Sequence, residues 1–255
     1  MTTEPIRIQE RFRGPPRSGN GGYVAGVVAA RLGGGRFDLP EAGAIEVTLR
    51  APVPLDRDLA VESSEAGLKL IDGPTLIAEA TRTTLHLDVP PPAPWDEVLA
   101  ARAHSPCLAT GMHPWLNEVR LGAHPICFCC GAELAPDEGL HVYAAPVPAH
   151  QQVAAAWSCP PTFAARSGEL PPEIVCTALD CPGQFAWLAE GTQTGMLGRL
   201  TARIERPLFA AEPYRVIGWT LGREGRKYYA GTAIYDQAGV LHAYAKAVWI
   251  GVRVP

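Results

Sequence analysis

The stretch Tyr23-Val24-Ala25-Gly26-Val27-Val28-Ala29-Ala30-Arg31-Leu32 is small and apolar at almost every position. Asn20 in front of it is an N-cap signal and Gly33-Gly34-Gly35 behind it a stop, so it predicts one short helix with almost no polar face. A helix that is apolar all round has to be enclosed by other structure. The segments that follow offer a sheet for the purpose. Ile45, Val47 and Leu49 alternate with Glu46, Thr48 and Arg50, the period of a half-buried strand, which Pro52 and Pro54 end. Residues 59–63, 68–71 and 75–89 supply further strands, and Asp72-Gly73 reads as the hairpin turn between the last two.

The same order returns later in the chain. Strands are expected at 139–145 and 151–157, a second buried helix over 178–189, then strands at 197–206, 214–221, 227–235 and 240–252. Asn20 precedes one helix and Asp180 the other, and a strand ending near a proline follows each. After that proline come a strand, a turn (Asp72-Gly73 or Arg223-Glu224-Gly225) and two long β segments. This weak internal repeat, carried by element order, predicts two similar sheets, each wrapping a helix. Between them, residues 90–125 begin Pro90-Pro91-Pro92-Ala93-Pro94 and hold a short helix at 95–102. The expected division is therefore 1–89 for the N-terminal repeat, 90–125 for a linker and 126–255 for the C-terminal repeat.

Composition narrows the function classes. An apolar content of 47% can build a core, and 22 basic against 26 acidic residues leave a net charge of −4 with no basic block to follow a phosphate backbone. Nucleic acid is thereby excluded as the expected partner. No run of about 18 uncharged apolar residues exists to span a bilayer, and MTTEPIRIQERFRG has no signal-peptide core. A cytoplasmic protein without membrane contact is expected. Seven cysteines, an odd count, then read as free thiols or metal ligands and not as a disulfide frame.

Taken together, these features resemble the double hot-dog fold, of class α+β, of acyl-CoA thioesterases and their relatives. Cys127-Phe128-Cys129-Cys130-Gly131 followed by Gly139-Leu140-His141-Val142 is similar to the Cys-Phe-x-Cys-Gly…Gly-Leu-x-Val opening of many hot-dog proteins of the phenylacetate-pathway thioesterase type. Ala178-Leu179-Asp180-Cys181-Pro182-Gly183 is similar to an Ala-Leu-Asp-Cys-Pro signature of double hot-dog proteins, and Ser18-Gly19-Asn20-Gly21-Gly22-Tyr23 matches the helix start of the first repeat. The chain departs from the family in one respect. Many single hot-dog thioesterases carry His-Gly-Gly at the helix start, where this chain has Asn20, and the second repeat has no His-Gly-Gly.

The resemblance implies a site at the interface of the two repeats, drawing on both. A helix N-terminus supplies unpaired N–H groups with partial positive charge, and Gly21 and Gly22 let a thioester carbonyl approach them as in an oxyanion hole. Asn20 can hydrogen-bond that carbonyl or orient a water. Asp180, the sole carboxylate in the apolar run 174–189, is the candidate general base or nucleophile. Gln184, one turn further on, can orient a water. Tyr23 and Gly183 complete the two helix starts as candidate substrate contacts. Arg226, beside Arg223 and Lys227 at a hairpin tip, could meet the phosphates of coenzyme A. Asp180 and Asn20 are equally good as plain helix caps, and Gln184 and Arg226 as ordinary surface residues.

No metal site is expected. Cys127-x-x-Cys130 is half of a structural zinc set, but no second pair with that spacing follows. The reading is thus hydrolysis of an acyl-CoA or acyl-carrier thioester without a cofactor, coenzyme A entering as part of the substrate. A non-catalytic acyl-thioester binding module is the alternative, as is a hot-dog hydratase or dehydratase. The last normally carries an Asp/His pair near a helix start, and no histidine lies near either predicted helix. A homodimer is expected because a sheet edge and face remain to be covered.

Overall fold

The computed structural model describes residues 4–33, 43–108 and 124–251. The first half contains the short strand β1 (Ile6–Arg7), helix α1 (Gly21–Gly33) and strands β2 (Gly43–Leu49), β3 (Asp58–Ser64), β4 (Gly67–Asp72) and β5 (Thr75–Thr84). Helix α2 (Trp95–Ala101) follows. The second half contains β6 (Ala145–Val147), β7 (Gln152–Trp157), α3 (Pro172–Ala178), α4 (Cys181–Ala189), β8 (Met196–Ile204), β9 (Tyr214–Glu224), β10 (Lys227–Asp236) and β11 (Leu241–Ile250). The expected helix stop at Gly34 and Gly35 and the strand end at Val252 lie outside the described residues.

All the strands join one antiparallel sheet in the order β1-β3-β4-β5-β2-β8-β11-β10-β9-β7-β6. Outward from the central β2–β8 pair, the first half runs β2, β5, β4, β3, β1 and the second β8, β11, β10, β9, β7, with β6 added at the edge. The repeat inferred from element order is therefore a repeat of topology. The halves meet in the register Ile45↔Ala202 to Thr48↔Arg199. Side chains reinforce that seam, since Arg199 Nε donates to Thr48 Oγ1 (3.0 Å) and Thr201 Oγ1 to Glu46 Oε2 (3.2 Å).

Helix α1 packs on β2, β5 and β8 and against α3, while α4 lies on β7, β9 and β10. The α1–α3 contact is one of backbone on backbone. A Cβ at Gly22 would stand 2.5 Å from the Cys176 carbonyl oxygen, and one at Gly26 would stand 2.3 Å from Glu173 Cα. The two glycines, one turn apart on α1, set this spacing. On β10, Ala230 and Ile234 face the core beneath the helices, whereas Ala233 and Tyr235 face a second cluster with Ala93, Val98 and Ala101. Strands covered on both faces read as continuous apolar runs, as β10 does.

Two expectations are corrected. The helix foreseen over 178–189 begins only at Cys181, and an unforeseen helix, α3, precedes it and ends at Ala178, because the Pro182 ring has no N–H and cannot continue α3. Leu179 and Asp180 form the break, and the Leu179 carbonyl accepts a hydrogen bond from Thr232 Oγ1 (2.8 Å) in place of a helical donor. The strand foreseen at 139–145 does not form over 139–144, and only Ala145 of it joins β6 (Ala145–Val147). The preceding backbone bonds instead to the cysteine turn, Leu140 N–H to Phe128 O and Val142 N–H to Cys129 O, with His141 at φ 54° between them.

Candidate active site

The break before Pro182 points Asp180 away from its own helix. Its side chain makes no capping bond to α4. Oδ2 instead accepts from the N–H of Gly22 (2.9 Å), the second residue of α1. Asn20 caps the same helix from within, Oδ1 accepting from the Tyr23 N–H (2.9 Å). The positive end of α1 therefore holds one carboxylate from across the repeat boundary, an arrangement that the helix dipole favours. The plain capping reading holds for Asn20, while Asp180 caps the opposite helix.

Asp180 is 2% exposed, and its second oxygen, Oδ1, has no hydrogen-bond partner among the described residues. Burial, then the neighbouring Cys129 thiol, push the carboxyl well above its ordinary pKa, against the Gly22 N–H and Asn20, which pull it down. An unpaired buried carboxylate oxygen is costly, and its surroundings give it a use.

Asp180 lines a cleft of ≈ 220 Å³ at the seam between the halves. Gly19, Asn20, Gly21 and Leu49 come from the first half, and Cys127, Asp180, Cys181, Gln184, Leu197, Trp249 and Ile250 from the second, with His124 from the segment between. The Gly21 N–H has no partner among the described residues and belongs to the cleft wall. Trp249 Nε1 is a second buried orphan on the wall. Burial pushes the His124 imidazole below its ordinary pKa, favouring the neutral ring.

The expected residues divide accordingly. Asn20, Gly21, Asp180 and Gln184 share the cleft, with Gln184 Nε2 donating to the Gly195 carbonyl (3.1 Å). Gly22 does not serve as an oxyanion donor, since Asp180 occupies its N–H. Tyr23 stacks on Phe12 (ring centroids 4.0 Å apart) in a separate depression with Arg11 and Glu173. Gly183 lies behind the wall and leaves room for the indole, since a Cβ there would be 3.2 Å from Trp249 Nε1. Arg226 binds the Gly251 carbonyl (2.7 and 2.9 Å), next to the cleft residue Ile250.

No protein-family model and no curated protein matches this sequence. Solved structures do match. A provisionally assigned thioesterase from Novosphingobium aromaticivorans superposes with a TM-score of 0.62 at 15% identity, over 97% of this chain and 94% of its own. The TesB protein of Mycobacterium avium subspecies paratuberculosis gives 0.56 at 12% identity, over 94% and 90%. A conserved protein of unknown function with a hot-dog fold, from Alicyclobacillus acidocaldarius, gives 0.50 at 11%, over 97% and 92%. The fold is a double hot-dog. At such identities the likeness extends to the architecture alone, so chemistry in this double hot-dog has to be argued from its cleft.

Sequence reasoning missed three groups in the cleft. His124, far from either helix in sequence, lines the same cleft as Asn20 and Asp180. Trp249 was one apolar residue in a strand, and its orphan N–H is visible only in three dimensions. Cys127 and Cys181 stand 54 residues apart in sequence with sulfurs 3.9 Å apart. Their one sequence signal was the Cys-Phe-Cys-Cys-Gly segment itself. Hydrogen bonds from Cys130 and Cys181 pull the Cys127 thiol well below its ordinary pKa. All seven cysteines are free.

Proposed function

We propose that this protein hydrolyses an acyl thioester in the cleft at the seam. The observation that carries the reading is the buried Oδ1 of Asp180, unpartnered among the described residues, in a residue that lines the cleft together with Gly21 at the positive end of α1. Asp180 Oδ1 takes a proton from water, and the resulting hydroxide adds to the thioester carbon. The carbonyl oxygen gains negative charge and is held by the Gly21 N–H, with the α1 dipole behind it. Collapse of the adduct breaks the C–S bond, and the thiolate leaves with the proton from Asp180. The Gly22 N–H keeps the other carboxylate oxygen fixed throughout.

Leu49, Leu197 and Ile250 form an apolar wall for the acyl group. A volume of 220 Å³ is below the about 300–1,000 Å³ of drug-sized ligand sites, so a short acyl chain is the substrate this cleft favours. Coenzyme A is the proposed handle.

The test is turnover of short, branched and aromatic acyl-CoA esters followed by mass spectrometry, wild type against Asp180→Asn. Asparagine preserves size and the bond to Gly22. The variant is expected to lose about 10²- to 10⁴-fold in rate with an unchanged fold. Full activity in the variant would remove Asp180 from the reaction. Hydration of an enoyl thioester is a second reading, favoured by the presence of His124 in the wall with Asp180. It would add the mass of water and leave the thioester intact, which the same spectra read directly.

A further inference from the structure

The sulfurs of Cys127, Cys130 and Cys181 all lie within 4.8 Å of one another, and all three residues are buried. Cys127 and Cys181 are 3.9 Å apart. Zinc bonded to sulfur at about 2.3 Å in tetrahedral geometry requires sulfurs about 3.8 Å apart. The Cys127–Cys181 spacing is thus that of two thiolates on one metal, and it is too long for a disulfide, whose sulfurs are about 2.05 Å apart.

Asn20 Nδ2 donates to the Cys127 Sγ (3.8 Å), and the turn that carries this sulfur is tightly closed. A Cβ at Gly131 would stand 2.6 Å from the Cys127 carbonyl oxygen, so only glycine lets the chain fold back behind the Cys127-x-x-Cys130 pair. The third ligand comes from the first residue of α4, which the break at Pro182 swings toward the turn.

We propose that Cys127, Cys130 and Cys181 bind a zinc ion as thiolates. The three thiols lose their protons on binding, and no oxidation state changes. Soft sulfur ligands select zinc over magnesium or calcium, which take oxygen donors. The ion would tie the opening turn of the second half to the start of α4, the two elements that flank Asp180. The role is positional, independent of whether the cleft hydrolyses thioesters.

The test is elemental analysis of the full chain purified under reducing conditions, followed by chelator stripping and titration with Co(II). About one zinc per chain is expected, with the visible d–d and near-ultraviolet thiolate bands of tetrahedral cobalt, displaced by added zinc. Cys127→Ser and Cys181→Ser should each lose most of the binding, while Cys159→Ser, a buried thiol elsewhere, should keep it. If the serine variants misfold, the wild-type cobalt spectrum decides, because its sulfur bands count thiolates. Reduced wild type that takes up neither metal, or folded Cys127→Ser and Cys181→Ser proteins that bind as wild type does, would overturn the site.

Discussion

Two acidic residues on successive helices illustrate how burial is used in this protein. Asp180 and Glu173 both have carboxyl pKa values raised chiefly by desolvation. Asp180 has an N–H partner and a cleft to face. Glu173, at the start of α3, shares a depression with Tyr23 and Arg11, and the one group that pulls its pKa down against burial is its own backbone N–H. A carboxylate whose folded pKa lies above its unfolded value contributes most below the unfolded value, about 4.3, and loses that contribution as pH rises through the folded one. Glu173→Gln, neutral at every pH, should therefore stabilise the protein at pH 7 by about 1 kcal/mol or less. Near pH 4 it should have almost no effect. Urea unfolding at the two values checks this, and destabilisation at pH 7 that disappears near pH 4 would mean that Glu173 makes a favourable ionic contact.

At the scale of elements, the α1–α3 contact fixes the site. Gly22 serves twice, giving its N–H to Asp180 and leaving space for the Cys176 carbonyl, while Gly26 admits the α3 backbone at Glu173. Alanine at either position would place a methyl group against backbone that cannot move aside. Gly22→Ala and Gly26→Ala should each destabilise by about 1–3 kcal/mol or more, despite alanine's better helix propensity. Thermal melting measures the loss. Melting temperatures that rise, as propensity alone predicts, would mean that the helices are not in close contact. Helix α1 and the hairpins at Asp72-Gly73 and Gly225 were legible in the sequence because their signals are local: a cap, an apolar run, a turn dipeptide. The break at Asp180 was also written there, in Cys181-Pro182. Pro182 is compatible with a continuing first turn as well as with a new one, and only packing against α1 decides between them.

Across the whole molecule, the two halves are a repeat in topology but one body in packing. The sheet runs unbroken through β2 and β8, and the core beneath it includes Val24, Val28, Ile45 and Ile77 of the first half with Leu179, Phe185, Leu200 and Ala245 of the second. The start of the linker is likewise packed, with Arg215 donating to the Ala93 carbonyl (3.0 Å) and Tyr235 to that of Pro90 (2.9 Å). Pattern in sequence reveals each half, since periodicity is a property of neighbours. It is silent on what meets at the seam, and the groups that carry the candidate chemistry, His124, Asp180, Trp249 and the cysteines, are brought together there. A shared core also predicts shared unfolding. All six tryptophans lie at position 95 or later, so their fluorescence reports on the linker and the second half alone. Ile77 is 2% exposed in β5 of the first half. Ile77→Ala should destabilise the protein by about 2–5 kcal/mol through lost burial and the cavity left behind. If the halves unfold as one unit, the tryptophan transition should move down in urea together with the far-ultraviolet circular dichroism, by the same amount and with coincident midpoints. A tryptophan transition that stays in place while the dichroism splits into two steps would show two independent folding units, and would make the seam a docked interface and not a continuous core.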